Sequence, residues 1–445
     1  MNSTCKIARS ASDLKSFLQT TIEHSDFKLS QIKLSRQQEW SLSHGVLGHR
    51  SGGFFYITGL VDNISGEEQL VLYQPQGAFN GLVVCKQEQA YILLQARIEP
   101  GNSGIGQYGP TIQSTPANYL RFHGGKETPY FDFFFQYNPE VKPLANSMQL
   151  DLGKRYFQKS KILSYVESNS LINTAENMIW VPLKVITEVL HYDNFLNTDL
   201  RSMLGVFDWD LFLGLKSSDT DTTHTNNFDF DRDLSGKNMG KLVPLSRLQK
   251  WELTEKGIAD KANTGISANI YRVVSTTREV KTWVQPLLCT ANRGLIVLLV
   301  RQADKSFEGH HSNLKSDRLT LEFLISYHSE FGISGEKVLL PSQIVYPGEN
   351  NRHQTTSYSK GKVLCEVIQS EEGGRFYQNE NIYQIILVDN SVETGDEQFW
   401  ISTDTLKGLL KSSNKVSIQL RCIASLVLEN INPHTFTEQL VATNT

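Results

Sequence analysis

The chain has 445 residues, a formal net charge of −4, 39% hydrophobic and 20% charged residues. That balance is ordinary for a globular chain with room for two or three cores, and it offers no basic field to draw in a nucleic-acid backbone. The start, MNSTCKIARSASDLKSF, lacks the apolar core of a secretory leader, no run reaches membrane-spanning length, and the five cysteines include no CxxC pair. A soluble chain in a reducing cytoplasm is expected.

Residues 10–33 place Leu14, Phe17, Leu18, Ile22 and Phe27 at helical spacing, with Ser12 as the expected cap. LSRQQEWSL at 34–42 then opens a module that returns as LSRLQKWEL at 245–253, six of nine positions identical at an offset of 211. Gln74-Pro75 meets Gln285-Pro286 at the same offset. Pro110-Thr111 and Pro116 meet Pro341-Ser342 and Pro347 at 231, and Trp180, Asn194 and Arg201 meet Trp400, Asn414 and Arg421 at 220. So long a period marks a duplicated domain rather than a solenoid array.

Strand-like runs follow at 54–63, 69–75, 81–99 and 130–137 in the first copy, and at 281–289, 294–302, 319–328 and 381–390 in the second. All are β-branched and aromatic segments broken by Gly, Asn and Pro. Each copy ends in a helical pattern, at 182–206 behind Pro182 and at 402–428 behind Ser402 or Thr403. The expected fold is therefore α+β, built from tandem modules of mixed sheet with flanking helices. The division expected is an N-terminal helical segment (1–33), repeat one (34–206), a polar linker (207–244), repeat two (245–428) and a tail (429–445). The linker's Asp cluster and His224 read as a solvated loop rather than a cation site. Cys85 in LVVC and Cys365 in VLCEV read as buried small hydrophobes.

The densest polar cluster is QARIEPGNSGIGQYGPTIQSTPANYLRFHGGKETPY at 95–130. Glu99 leaves a strand just before the Pro100-Gly101-Asn102 turn, a common seat for a working carboxylate. Thr111, Gln113, Asn118, Tyr119, Arg121, His123, Lys126 and Tyr130 follow, with two cations suited to an anionic ligand and a histidine able to exchange protons near neutrality. Taken singly, each has a structural explanation as turn or core residue; their density signals a ligand pocket. The second copy keeps Glu330 opposite Glu99 but puts Phe331-Gly332-Ile333 for Pro-Gly-Asn, Tyr327-His328 for Ala96-Arg97, and Ile344 for Gln113. Its own cluster, QSEEGGRFYQNENIYQ at 369–384, holds Glu371, Glu372, Gly373, Gly374, Arg375 and Tyr377. The matching DLGKRYFQKSKIL at 151–163 keeps Gly153, Arg155 and Phe157 without paired carboxylates. The copies look complementary, one supplying the Glu99 loop and the other the Glu-Glu-Gly-Gly loop; two separate pockets, one degenerate, is the alternative. There is no GxGxxG fingerprint after a strand, Walker A lysine loop, HExxH or GxSxG.

QARxEPGN, PTxQxTxxNY and HxGKxxPY in the first half, QPLL at 285–288, SEEGGRFY at 370–377 and the paired NxxxxxxR motifs together resemble the NDP-hexose 2,3-dehydratases, over roughly residues 34–428. The resemblance implies two Nudix-like modules without a metal-binding Nudix box, a homodimer, no metal and no cofactor. It also implies an NDP-4-keto-6-deoxyhexose substrate, with the dTDP-glucose derivative expected. Such a chain would follow a 4,6-dehydratase and precede a 3-ketoreductase in deoxysugar biosynthesis. The C4 ketone acidifies the C3 proton; a base removes it, the enolate expels the C2 hydroxyl, and the enol becomes a 3,4-diketo-2,6-dideoxy sugar. On this reading Glu99 or His123 is the base, and Tyr130 or Tyr119 the acid or enolate donor. Arg121, Lys126 and Arg375 take the diphosphate. Asn102, Gln113 and Asn118 hold the sugar or base, with Thr111, Glu371, Glu372 and Tyr377 also lining the site. Two other readings compete: a non-catalytic NDP-sugar-binding or regulatory protein on the same fold, and a Nudix-type hydrolase, disfavoured because no GX5EX7REUXEEXGU pattern occurs.

Overall fold

The computed structural model describes residues 5–62, 65–121, 127–214, 240–262, 265–276, 280–303, 321–333, 337–346 and 361–427. Each copy builds the same seven-stranded mixed sheet. In the first, Val141–Leu150, Ser160–Ser168, Ala78–Lys86, Ala90–Ile98 and Met178–Pro182 lie side by side, with Ile112–Ser114 on Ala78–Lys86 and Gly106–Gly109 on Ala90–Ile98. In the second, Lys362–Ser370, Glu380–Leu387, Gly294–Gln302, Leu321–Ser329 and Lys337–Leu340 do the same, with Gln343–Val345 and Gln398–Ser402 alongside. Each sheet has one parallel pair, Ser160–Ser168 beside Ala78–Lys86 and Glu380–Leu387 beside Gly294–Gln302. Alternation sorts the side chains: Leu82, Val84, Ile92 and Leu94 enter the main core, whereas Val83, Cys85 and Leu93 meet Trp180 in a smaller cluster.

The two remaining sheets exchange strands between the copies. Lys28–Gln31, ahead of repeat one, pairs with Ile266–Val274 of repeat two, with Leu29 opposite Val273. Lys241–Val243, ahead of repeat two, pairs with Tyr56–Val61 of repeat one, with Leu242 opposite Leu60. Each copy thus completes a sheet of its counterpart.

The terminal helices each break once. Leu183–Val189 and Thr198–Val206 are separated at Asn194 (φ 51°), and Thr403–Leu410 and Ile418–Val427 at Asn414 (φ 55°). Asparagine tolerates this left-handed geometry, and each of its amides bonds the other copy's edge strand at 2.9 Å, Asn194 to Ile368 O and Asn414 to Met148 O. Thr198–Val206 and Ile418–Val427 are buried throughout and pack on one another so closely that a Cβ on Gly205 would stand 2.2 Å from Arg421 O. Arg201 and Arg421 are buried in this pair and donate to backbone carbonyls, Arg201 to Leu190, Leu196 and Tyr192 and Arg421 to Leu150 and Val416.

Several expectations change. The run 130–137 is a short helix, Asp132–Phe135, rather than a strand: Phe131 and Phe135, four apart, stack at 4.2 Å while Phe134 covers Gly81. The run 81–99 is a hairpin of two strands. The first helix spans Ala11–Glu23 and is capped by Ser10, which accepts from Asp13 N, in place of Ser12. In the segment read as linker, Phe207, Trp209 and Phe212 join the core; His224 and its Asp neighbours lie outside the described residues. Cys85 is buried, but Cys365 is only half-buried, its sulfur 3.5 Å from His191 Nδ1. Among the described residues no helix is long and apolar enough to cross a membrane.

Candidate active site

The hairpin turns the exit of Ala90–Ile98 to the same end of the sheet as the entry of Ala78–Lys86, with Gly106–Gly109 and Ile112–Ser114 paired on them there, and parallel pairing adds the entry of Ser160–Ser168 to that end. Polar residues collect there. Gln95, Arg97 and Glu99 alternate along one strand; Arg97 donates to Gln95 Oε1 at 2.6 Å and to Glu99 Oε1 at 2.9 Å. Asn197 caps the helix above and donates to Gln113 at 2.8 Å. Asp199, in that helix's first turn, accepts from Asn80 at 2.9 Å and Lys161 at 2.8 Å.

The second copy reaches into this end of the sheet with its 370–377 loop. Gly101 N donates to Gly373 O at 2.8 Å, and Gln378 N to Gly101 O at 2.7 Å. A Cβ on Gly101 would stand 1.5 Å from Phe376 O, so only glycine admits the approach. Glu372 arrives among Tyr156, Lys159 and Lys161, with hydrogen bonds from the Tyr156 hydroxyl at 3.1 Å and Lys161 Nζ at 3.2 Å. Burial opposes its charge, but Lys159, Lys161 and Arg375 hold its carboxyl well below the usual carboxylate range. Lys161 is likewise kept charged, well above the usual lysine value, by Asp151, Asp199 and Glu372 despite its burial. A Cβ on Gly374 would lie 3.7 Å from Glu372 Oε1 and 3.9 Å from Glu99 Oε1, so both carboxylates border the space left by a residue that lacks a side chain.

The same docking repeats on the other side. Gly332 N donates to Gly153 O at 2.6 Å and Gln158 N to Gly332 O at 2.9 Å. There Glu330 is bonded by the Tyr346 hydroxyl, and burial raises its pKa. Asp151, Lys159, Lys161 and Asp199 are matched at the offset of 220 by Glu371, Asn379, Asn381 and Gln419, and Glu372 by Leu152. Asn381 donates to Glu371 at 2.5 Å, the amide version of the Lys161–Asp151 ion pair at 3.2 Å. Burial pushes Glu371 up to about 7. A cavity of about 460 Å³ opens on this side beside Lys154, Arg155, Glu68, Lys250, Trp251 and Tyr346.

The residues singled out from sequence distribute unevenly. Glu99, Asn102, Glu371, Glu372 and Arg375 meet at or beside the docked loops. Asn102 is buried against Gly373 and donates to Ile105 O at 3.3 Å. Arg375 donates to Gly374 O at 2.8 Å and Gln74 at 3.2 Å, and lies 4.3 Å over the Phe55 ring. Gln113 joins through Asn197. Thr111 instead ties strands together, accepting from Val83 N and donating to Leu93 O at 2.6 Å. Tyr130 donates to Asn173 O and accepts from Ala175 N, and Tyr377 stacks on Tyr271. Tyr119 stacks on Phe131, Asn118 sits half-buried on the same turn, and Arg121 pairs at the surface with Glu127 at 3.3 Å. His123 and Lys126 lie outside the described residues. Sequence reasoning missed Arg97, Tyr156, Asp151, Lys159, Lys161 and Asp199. The offset of 220 that pairs Asp151 with Glu371 was the available signal.

A family model described as NDP-hexose 2,3-dehydratase matches residues 11–207, 231–310 and 349–427. A dTDP-4-dehydro-6-deoxy-alpha-D-glucopyranose 2,3-dehydratase from Saccharopolyspora spinosa is 25% identical, across 95% of this chain and 92% of its own. Proteins of the same description from Amycolatopsis orientalis and Streptomyces violaceoruber are each 24% identical, covering 93% and 90% of this chain and 89% and 93% of theirs. Among solved structures, a Nudix hydrolase from M. smegmatis aligns with 29% of this chain and 83% of its own at 12% identity and a TM-score of 0.17, too slight a likeness to carry an argument.

Proposed function

The chain belongs to the NDP-hexose 2,3-dehydratase family, and we propose on that footing that it removes water across C2 and C3 of an NDP-4-keto-6-deoxyhexose. The dTDP-sugar named for its relatives is the proposed substrate. The observation that carries the reading is the pair of carboxylates, Glu99 and Glu372, brought from different copies to within 4 Å of where a Gly374 Cβ would stand. A base at this end of the sheet takes the C3 proton, leaving an enolate across C3 and C4. The enolate expels the C2 hydroxyl, which leaves as water with a proton from an acid, and the C2–C3 enol tautomerises to the 3-ketone. Glu99 is the proposed base, with His123 as the other candidate. The proton donor is drawn from Tyr119, His123 and Tyr130; Tyr130 has both its hydroxyl bonds occupied within its own copy. Arg375, Arg121 and Lys126 suit the diphosphate by charge.

The chemistry also implies its neighbours. A 4,6-dehydration must supply the ketone, and a 3-ketoreductase would consume the product. A homodimer in the cytoplasm is the proposed state. Purified protein incubated with dTDP-4-keto-6-deoxyglucose should yield a product lighter by one water, with or without EDTA, by mass spectrometry. Binding of dTDP-sugar with no mass change would favour a non-catalytic NDP-sugar-binding protein instead.

A further inference from the structure

The two oxygens of Glu372 are treated differently. Oε2 takes the Tyr156 hydroxyl at 3.1 Å and Lys161 Nζ at 3.2 Å, with Lys159 Nζ at 3.7 Å. Oε1 makes no hydrogen bond among the described residues and shares the space beside Gly374 with Glu99 Oε1. The side chain is 11% exposed, enough for one oxygen to meet a ligand. We propose that Glu372 Oε1 accepts a hydrogen bond from a hydroxyl of the hexose, and that Lys159, Lys161 and Tyr156 of the first copy are positioning residues that keep Glu372 ionised and its Oε1 turned to the space beside Gly374. This rests on the NDP-hexose reading above and deepens it.

Three observations support it. The lysines are themselves tied down: Lys161 to Asp199 at 2.8 Å and to Asp151 at 3.2 Å, Lys159 to Asp151 at 3.2 Å. The equivalent place on the other side has lost most of the assembly together, with first-copy Leu152 for Glu372 and second-copy amides for both lysines and Asp199, while Glu371 stands for Asp151. Buried ion pairs rarely repay their desolvation and are poor devices for stability, and the amide version folds in the equivalent place, so the charges in one copy point to a task beyond folding. Finally, a carboxylate held as low as Glu372 does not exchange protons near neutrality. It suits a permanent acceptor and leaves proton transfer to Glu99 or His123. The groups facing it are Lys159, Lys161, Tyr156 and Asp151, Asp199 from the helix, Arg375 and Glu371 from its own loop, and Glu99 beside Gly374.

Calorimetric titration of the full chain with dTDP and with dTDP-glucose, which lacks the 4-ketone and is not dehydrated, isolates what the sugar adds. Wild type should prefer dTDP-glucose, and Glu372→Gln should cut that preference by about tenfold or more while leaving dTDP affinity within about twofold. In wild type the preference should be flat from about pH 5 to 8. In Lys159→Asn/Lys161→Asn/Asp199→Gln, which copies the second repeat's residues, it should fall toward the acid end as Glu372 takes a proton. Tyr156→Phe should tilt the profile the same way by less, and serves if the triple variant does not fold. A purely structural role for the lysines would lower Tm without tilting the profile. The proposal is overturned by a wild type that does not distinguish the two ligands, by an unchanged preference in Glu372→Gln, by an equal loss of dTDP affinity, or by flat profiles in the folded variants. A wild type that discriminates yet releases no water from the 4-keto substrate would count against the dehydratase reading alone.

Discussion

The amide of Gly101 donates to the carbonyl of Gly373 at 2.8 Å, the first-copy turn after Glu99 meeting the second-copy loop that carries Glu372. With Gly332 on Gly153, it gives the chain two such contacts about a local dyad. Gly101→Ala would place a methyl 1.5 Å from Phe376 O, and Gly332→Ala 2.1 Å from two carbonyl oxygens. Each should cost about 3 kcal/mol, read as a lowered urea midpoint. Gly101→Ala should lower turnover further than its stability loss explains, because it parts the two carboxylates, while Gly332→Ala should not. Equal loss of activity in both would show that the contacts matter only to the fold.

Glu99 is buried and pairs with Arg97 at 2.9 Å. Glu99→Gln should keep the fold and lower kcat by roughly 10²–10⁴, the range for losing a placed base. Full turnover in a folded variant would move the base to His123.

Glu371 gives a pH-dependent stability. Its folded value of about 7 stands above an unfolded value near 4.3, so the folded chain holds a proton that the unfolded chain releases across that window. The group's contribution is intact below about pH 4 and is lost as pH rises through 7. Glu371→Gln keeps an acceptor for Asn381 and removes the titration. The variant should match wild type near pH 4.5 and exceed it by about 2–3 kcal/mol at pH 8. A stability gap that stays the same at both pH values would show that Glu371 is not titrating.

Strand exchange predicts that neither copy stands alone. Residues 1–214 lack the strand Lys241–Val243, and residues 240–445 lack Lys28–Gln31. Expressed separately, each should be insoluble or molten by near-ultraviolet circular dichroism; co-expressed, they should co-purify as a folded pair. Two separately folded halves with sharp thermal transitions would refute this.

Much of the arrangement was legible in the residues. The offsets of 211, 220 and 231 gave the duplication, and the strand runs gave Ala78–Lys86 with Ala90–Ile98 in one large sheet and Gly294–Gln302, Leu321–Ser329 and Glu380–Leu387 in the other, but not the remaining strands of either. The complementary losses in the two copies anticipated that the Glu99 loop and the Glu-Glu-Gly-Gly loop would meet. The exchanged strands were not legible, because period-two patterning says that a strand has a buried face and not whose sheet it joins. The burial of Lys159 and Lys161 was not legible either, since single-chain patterning assigns lysine to solvent and the carboxylate that Lys161 meets comes from 211 residues away. Thr111 read as a ligand donor because of the polar density around it; its hydroxyl is spent bridging Leu93 and Val83. The aromatic run 130–137 has both strand-like composition and helical i, i+4 pairing, and packing over Gly81 and Phe79 decides for the helix.

The exchanged strands also bear on synthesis. Sheet completion around Tyr56–Val61 waits for residue 243 to leave the ribosome, and Lys28–Gln31 waits longer, for residues 266–274. Until then Leu47, Ile57 and Leu60, all fully buried at the end, belong to a sheet with an open edge. A newborn chain therefore passes through a long interval in which its first half is a client for chaperones, and the order of translation, rather than the strength of any one contact, sets when that exposure ends.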